Sequence, residues 1–139
     1  MEATLSNPTV TSRPRTLSFW VGTGLSTLAV LFLSFDAVIK LIQIAPVVAT
    51  FAKLGVPIAL APVLGAIELA CLALYLIPRS ALVGAVLWTG YLGGAIATHA
   101  RIGSPLLGFT LFPVYVAVLL WGGLYLRDAR VRALLQPNE

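Results

Sequence analysis

Long apolar stretches separated by short polar ones dominate the chain and predict a bundle of membrane-spanning helices. A helix needs about 20 mostly apolar residues to cross a bilayer. Four stretches meet this requirement, at residues 17–44, 58–77, 81–98 and 106–126. A fifth apolar segment, residues 46–54, is too short to span. We therefore predict an all-α membrane fold: a four-transmembrane-helix bundle with a short interfacial helix between the first and second spans.

The short helix has its own start and stop signals. Pro46 suits a first helical turn, Gly55 suits the residue after a helix end, and Pro57 prevents continuation. Its apolar residues recur at helical spacing and form one face, made of Val47, Val48, Phe51 and Leu54. Such a helix is expected to lie at the membrane interface or to cap the bundle.

The domain organisation follows from the same pattern. Residues 17–135 make one four-helix membrane domain. Residues 1–16 are polar and contain two prolines, which predicts a disordered cytoplasmic N-terminal tail. Residues 136–139 form a short C-terminal tail.

Composition supports a membrane protein and excludes several other classes. The chain is 59% hydrophobic and 10% charged, whereas a soluble domain is about 25% charged. The net charge of +4 does not indicate nucleic-acid binding, because six of the nine basic residues flank predicted spans. These six are Arg13, Arg15, Arg79, Arg127, Arg130 and Arg132. The positive-inside rule then places both termini in the cytoplasm. Cys71 is the single cysteine, so no intrachain disulfide forms.

Small and polar residues predict which helix faces point into the bundle. In the first span a stripe of small and polar residues recurs every seven positions, which favours close helix packing: Gly22, Ala29, Asp36 and Gln43, with Ser26 and Lys40 close to it. Asp36 and Lys40 are four residues apart, so they share a helix face and can pair. In the second span the inward face is predicted to contain Ala61, Gly65, Glu68, Leu72 and Tyr75.

Two further features concern the third and fourth spans. Gly90 and Gly94 have the GxxxG spacing, extended upstream by Gly84, and we expect intramolecular packing there rather than dimerisation. In the fourth span, Pro113 is expected to produce a kink.

Five ionisable residues in or beside the spans are the candidate functional residues. They are Asp36, Lys40, Glu68, His99 and Arg101. Ionisable groups inside a membrane are costly and are functional candidates by default. Two interpretations remain open: a polar network that fixes helix register, or a pocket, roofed by the short helix, that binds a ligand or relays protons. No catalytic residue and no metal site is predicted.

Several motifs, taken in order, resemble the DoxX-like family of small bacterial four-helix membrane proteins. They are Phe35-Asp36-xxx-Lys40-Leu41, Phe51-xx-Leu54-Gly55-Val56-Pro57, Ile67-Glu68-Leu69-Ala70, Thr98-His99-x-Arg101-x-Gly103-x-Pro105 and the segment from Leu120 to Asp128. The family pattern has glycine where this chain has Asp36, so the resemblance supports roles for Lys40 and Glu68 more strongly.

The resemblance implies a protein of the bacterial inner membrane. One relative forms part of a membrane thiosulfate:quinone oxidoreductase, and others resemble membrane partners of redox or stress proteins. We therefore expect a non-catalytic subunit of a quinone-linked system, with a quinone or lipid as its possible ligand and an oxidoreductase subunit as its partner. Homo-oligomerisation is compatible with this expectation.

Two other functions stay open. A proton-coupled transporter would use Glu68, and small multidrug pumps share the length and the four spans. A membrane enzyme could use His99 and Glu68 as acid and base.

Overall fold

A computed structural model of the protein describes residues 16–136. Its helices are α1 (Leu17–Leu41), α2 (Ala45–Leu54), α3 (Ala61–Leu76), α4 (Ala81–Arg101), α5 (Phe112–Arg127) and α6 (Ala129–Leu135). A 3₁₀ turn, Ile58–Leu60, precedes α3, and a π-helical turn, Leu106–Thr110, precedes α5. The predicted tails, residues 1–16 and 136–139, lie outside the described residues except for Thr16 and Gln136.

Within this part of the chain, four helical segments are long and apolar enough to cross a membrane. They are Leu17–Leu41, Ile58–Leu76, Ala81–Arg101 and Leu106–Arg127. This confirms the predicted fold class. Large apolar residues such as Leu28, Leu31 and Val118 are exposed on the outside of the bundle, where hydrocarbon rather than water surrounds a spanning helix.

The short helix α2 lies between the first and second spans, as predicted. Pro46 occupies its first turn, and Gly55 ends it in the left-handed conformation with φ 65°, which glycine adopts without steric cost. Val47 and Phe51 are buried and pack with Ala61 at the start of α3. The buried face is narrower than predicted, because Val48 is exposed.

Helices that are neighbours around the bundle meet through small residues. A Cβ added at Gly22 of α1 would lie 2.8 Å from the Gly123 carbonyl oxygen of α5, and one at Gly65 of α3 would lie 2.8 Å from the Ala37 carbonyl oxygen of α1. Gly22, Ser26 and Ala29 are all buried, so the predicted inward stripe of α1 is confirmed for these residues. It is wrong for Gln43, which lies beyond the end of α1 and is exposed. The predicted inward face of α3 is confirmed as well, because all five of its residues are buried. Small residues allow such close backbone approach in membranes.

A buried tyrosine links three helices at the end of the bundle where the described chain starts. The Tyr75 hydroxyl of α3 donates a hydrogen bond to the Leu120 carbonyl oxygen of α5 at 2.8 Å. Its single proton is thereby used, so the Ser26 hydroxyl of α1 donates to the Tyr75 oxygen at 2.9 Å. All the polar atoms at this crossing are satisfied, as burial in hydrocarbon requires.

The fourth span differs from the predicted kinked helix. The break falls at the π-helical turn and Leu111, and Pro113 lies in the first turn of α5. A proline there removes a backbone N–H that has no intrahelical partner in any case. The span is thus interrupted next to Pro113, but the interruption is a π-helical turn that precedes the proline.

The short helix α6 was not predicted as a separate element. The Asp128 carboxylate accepts a hydrogen bond from the Arg130 backbone N–H at 2.9 Å and caps its start. Val131 is buried against the core, while Leu134 and Leu135 are exposed. At seven residues, the helix is too short to give a clear periodic signal.

The glycines of α4 fall into two groups. Gly84 meets α3 closely, since an added Cβ would lie 2.7 Å from Tyr75 Cα and 2.9 Å from the Leu74 carbonyl carbon. An added Cβ at Gly90, Gly93 or Gly94 would meet no atom within 4 Å. Intramolecular packing is thus confirmed at Gly84, but the prediction is wrong for the Gly90–Gly94 pair.

We predict that Gly84→Ala destabilises the bundle, because the new methyl group meets backbone atoms that can move only if α3 and α4 separate. The expected cost is about 1–3 kcal/mol, as for other overpacked sites. Gly93→Ala on the same helix is the matched control and is expected to be neutral or slightly stabilising. The measurement is the thermal unfolding midpoint of both variants in one detergent. Equal midpoints would contradict the close approach at Gly84.

Candidate functional site

Lys40 is the centre of the intramembrane charged residues. Its ammonium group donates hydrogen bonds to Asp36 Oδ2 at 2.5 Å, to Glu68 Oε1 and to the Tyr91 hydroxyl at 3.2 Å. An ammonium group has three N–H donors, so these contacts use all of them. Lys40 therefore joins α1, α3 and α4 at one depth of the bundle.

The two carboxylates beside Lys40 have different surroundings. Asp36 lies one helical turn before Lys40 and its side chain is 31% exposed, whereas the Glu68 side chain is fully buried. Glu68 Oε1 accepts from Lys40, but Glu68 Oε2 has no hydrogen-bond partner among the described residues. An unpaired charge in a membrane is expensive, so Glu68 depends on Lys40 more strongly than Asp36 does.

His99 does not join this cluster through a hydrogen bond. Its Nδ1 lies 3.1 Å from the Ser104 hydroxyl oxygen, and its ring stacks on Phe109 with centroids 6.0 Å apart. These contacts hold the imidazole at the end of α4 against the turn that leads into the fourth span. His99 nevertheless lines the same cavity as Asp36 and Lys40.

Arg101 has a structural contact at the same end of the bundle. Its guanidinium donates to the Leu54 carbonyl oxygen at the end of α2. Carbonyl groups in the last turn of a helix lack intrahelical donors, and a cation there is favourable. Arg101 thus ties α2 to the end of α4. The structure brings Asp36, Lys40 and Glu68 into direct contact and places Arg101 outside that contact.

A cavity of about 670 Å³ lies beside the charged cluster. Its wall is formed by α1, α2, α4, the π-helical turn, the start of α5 and Leu64 of α3. Most lining side chains are apolar or aromatic, including Phe32, Trp88 and Phe112, and the polar ones include Asp36 and Lys40. Thr50, Phe51 and Leu54 of α2 cover one side, as the pocket interpretation requires.

Glycines and a broken helix explain why this volume is open. Gly90 and Gly94 line the cavity and present no side chain to it. The break at the π-helical turn also places Gly108 at the wall. A GxxxG spacing can therefore mark open space as well as close packing.

Two residues of the site were missed at the level of sequence. Tyr91 carries no charge and therefore does not stand out in the sequence, yet its hydroxyl accepts a hydrogen bond from Lys40. Trp88 is fully buried and lines the cavity, and its ring meets Tyr91 edge to face at 5.4 Å. The available signal was the spacing of Tyr91, Ala95 and Thr98, which places all three on one face of α4.

We predict that Lys40→Met destabilises the protein far more than Asp36→Asn. The first change leaves buried Glu68 without its cation, for which the expected cost is about 3–5 kcal/mol. The second removes a partly exposed carboxylate and leaves the Lys40–Glu68 pair intact. Thermal unfolding of both variants in one detergent is the measurement. The double variant Lys40→Met with Glu68→Leu should recover much of the lost stability, and failure to do so would contradict charge compensation.

Comparison with known proteins gives a family but no individual relative. Searches of curated proteins and of solved structures found no match. The model of the DoxX-like family matches residues 24–123, a range that contains Asp36, Lys40, Glu68, His99 and Arg101. This match covers most of the chain and all of α2, α3 and α4. The chain therefore belongs to the DoxX-like family and is a multi-pass integral membrane protein.

Proposed function

We propose that the protein binds an apolar molecule with a polar head group, such as a quinone or a lipid, in the cavity beside Lys40. In this proposal it acts as a non-catalytic membrane subunit or accessory of a quinone-linked redox system. The observation that carries the proposal is the cavity of about 670 Å³, whose wall is mostly apolar and whose polar groups include Asp36, Lys40 and His99.

The cavity has the properties of a ligand site. Pockets for small molecules usually enclose ~300–1,000 Å³ and combine apolar walls with a few polar groups. Aromatic side chains of Phe32, Phe109 and Phe112 offer flat surfaces to a ring or an acyl chain.

A quinone fits these residues better than a strongly charged ligand does. All three Lys40 donors are already engaged within the protein, so Lys40 offers little to an additional anion. His99 remains as a polar contact for a neutral head group. A bound quinone would supply two-electron chemistry, and the residues of this chain would bind it and orient it.

The proposed location is the bacterial cytoplasmic membrane, with both termini in the cytoplasm. Arg79, Arg127, Arg130 and Arg132 follow the ends of α3 and α5, whereas Lys53 and Arg101 lie at the ends of α2 and α4. The positive-inside rule supports this orientation. The cavity would then lie towards the outer side, and a membrane-associated oxidoreductase subunit is the proposed partner.

We expect Gly94→Leu to weaken quinone binding, because the new side chain enters the cavity. The probe is decylubiquinone, added to protein in nanodiscs of phosphatidylcholine, and binding is followed by quenching of tryptophan fluorescence. The dissociation constant should rise about tenfold or more, equivalent to ~1.4 kcal/mol.

Gly93→Leu is the matched control, since Gly93 is the adjacent residue on α4 and does not line the cavity. Both changes replace glycine by leucine in the same helix, so general effects on α4 should be shared. Trp88→Phe identifies the contribution of Trp88 to the quenching. The proposal would be refuted by a wild-type protein that does not bind the probe, or by equal effects of the two leucine variants.

Proton-coupled transport is the second candidate. The observation that favours it is Glu68 Oε2, which is buried and has no hydrogen-bond partner in the described part of the chain. Such transport would require Glu68 to exchange a proton with each side of the membrane in turn. The test is proton-driven movement of tetraphenylphosphonium in proteoliposomes. Transport predicts flux in the wild type and its loss in Glu68→Gln, with Asp128→Asn as a control outside the spans. No flux in the wild type would remove this candidate for lipophilic cations.

A further inference from the structure

A second cleft lies at the opposite end of the bundle from α2. It encloses about 200 Å³ and is lined by residues of α1, by Tyr75 and Leu76 of α3, and by Arg127 of α5. None of its lining residues belongs to the cavity beside Lys40. We propose that this cleft binds an anionic phospholipid, with the head-group phosphate at Arg127 and the start of one acyl chain along α1.

Arg127 has donor capacity that the protein leaves unused. Its guanidinium lies over the Tyr75 ring at 4.9 Å, and its Nη2 donates a long hydrogen bond of 3.4 Å to the Tyr75 carbonyl oxygen. Its Nε is buried and has no acceptor among the described residues. A guanidinium is a planar fork of donors that matches the oxygens of a phosphate. A lipid phosphate would accept from the guanidinium donors that the described residues leave unused.

The charged residues that follow Arg127 in the sequence already have partners. The Asp128 carboxylate pairs with Arg130 at 3.4 Å and does not line the cleft. Arg130 also donates to the Pro78 carbonyl oxygen, and Arg132 donates to the carbonyl oxygens of Tyr125 and Leu126. Arg127 is therefore the basic residue of the cleft, and no acidic side chain lines the cleft to neutralise it.

The wall of the cleft changes from polar to apolar along α1. Thr23 and Thr27 provide hydroxyl groups, and Val30 and Leu31 continue the wall towards the middle of the membrane. Leu31 lies eight residues after Thr23, which corresponds to ~12 Å of helix. This distance covers the head-group level and the first part of an acyl chain.

The size and exposure of the cleft favour a lipid over a soluble phosphate compound. A volume of about 200 Å³ is below the ~300–1,000 Å³ of sites that enclose a whole small molecule. Leu31 is 65% exposed and Leu76 is 56% exposed, so the cleft opens towards the bilayer. A phospholipid can place one part of itself in the cleft and leave the rest among its neighbours.

The test compares phosphatidylglycerol with phosphatidylcholine of identical acyl chains, titrated into the full-length protein and counted by native mass spectrometry. Phosphatidylglycerol should bind about fivefold more tightly, the ratio expected for one arginine near an anionic head group. Arg127→Gln should remove this preference. Arg130→Gln, at the same end of the bundle but outside the cleft, should retain it.

A second variant keeps the positive charge of Arg127 and blocks the path of the lipid acyl chain along α1. Leu31→Trp lies at an exposed position, so folding should be unaffected, and it should weaken binding of phosphatidylglycerol while Arg127 is intact. Addition of inorganic phosphate distinguishes the lipid from its phosphate group alone. The proposal would be overturned by equal binding of the two lipids, by equal losses in the Arg127 and Arg130 variants, by an unchanged Leu31→Trp, or by displacement of the lipid with inorganic phosphate.

Discussion

The compensation of two carboxylates by Lys40 is the constraint on which this half of the bundle depends. Asp36 lies on the same helix, but Glu68 comes from α3 and Tyr91 from α4. Fully buried Glu68 requires a cation at its own depth, because hydrocarbon offers no solvent to stabilise a charge. Satisfying one ammonium group therefore fixes three helices relative to one another. The same contacts hold Lys40 at the wall of the cavity.

The fourth spanning segment is not held by this charge compensation. It is fixed at the other end, where Gly22 and Gly123 allow α1 and α5 to approach and Tyr75 bonds to the Leu120 carbonyl oxygen. Lipid does not drive helices together as water does, so contact depends on shape and on specific bonds. Near Lys40, glycines on α4 and the π-helical turn remove the side chains that would otherwise fill the space. A bundle that is tight at one end and open at the other follows from these local differences.

The sequence was sufficient for the spans, α2, the inward faces of α1 and α3, and the Asp36–Lys40 pair, because these depend on periodicity and on the cost of burying charge. The sequence was not sufficient where one residue type can have either of two structural roles. Glycines at GxxxG spacing permit close packing, but the spacing does not determine whether another helix lies against them. Gly90 and Gly94 face open space instead. His99 and Arg101 were expected near the carboxylates. Backbone geometry at the ends of α2 and α4 offered them nearer partners, the Ser104 hydroxyl and the Leu54 carbonyl oxygen. The spacing of residues along the sequence does not show which of several polar groups His99 and Arg101 will contact.

The two proposed sites fit the different chemistry of the two ends. Lys40, the cation that lines the cavity, is engaged by carboxylates, and Arg101 is engaged by a helix end, so a ligand in the cavity gains its affinity mainly from apolar contact. At the other end Arg127 keeps guanidinium donors that the described residues leave unused, and aliphatic residues continue from it towards the bilayer. The first arrangement favours a neutral ring or chain, and the second favours an anionic head group. Because the two sites share no lining residue, a variant that blocks one leaves the side chains of the other in place, and the two proposals can be tested in the same protein without interfering with each other.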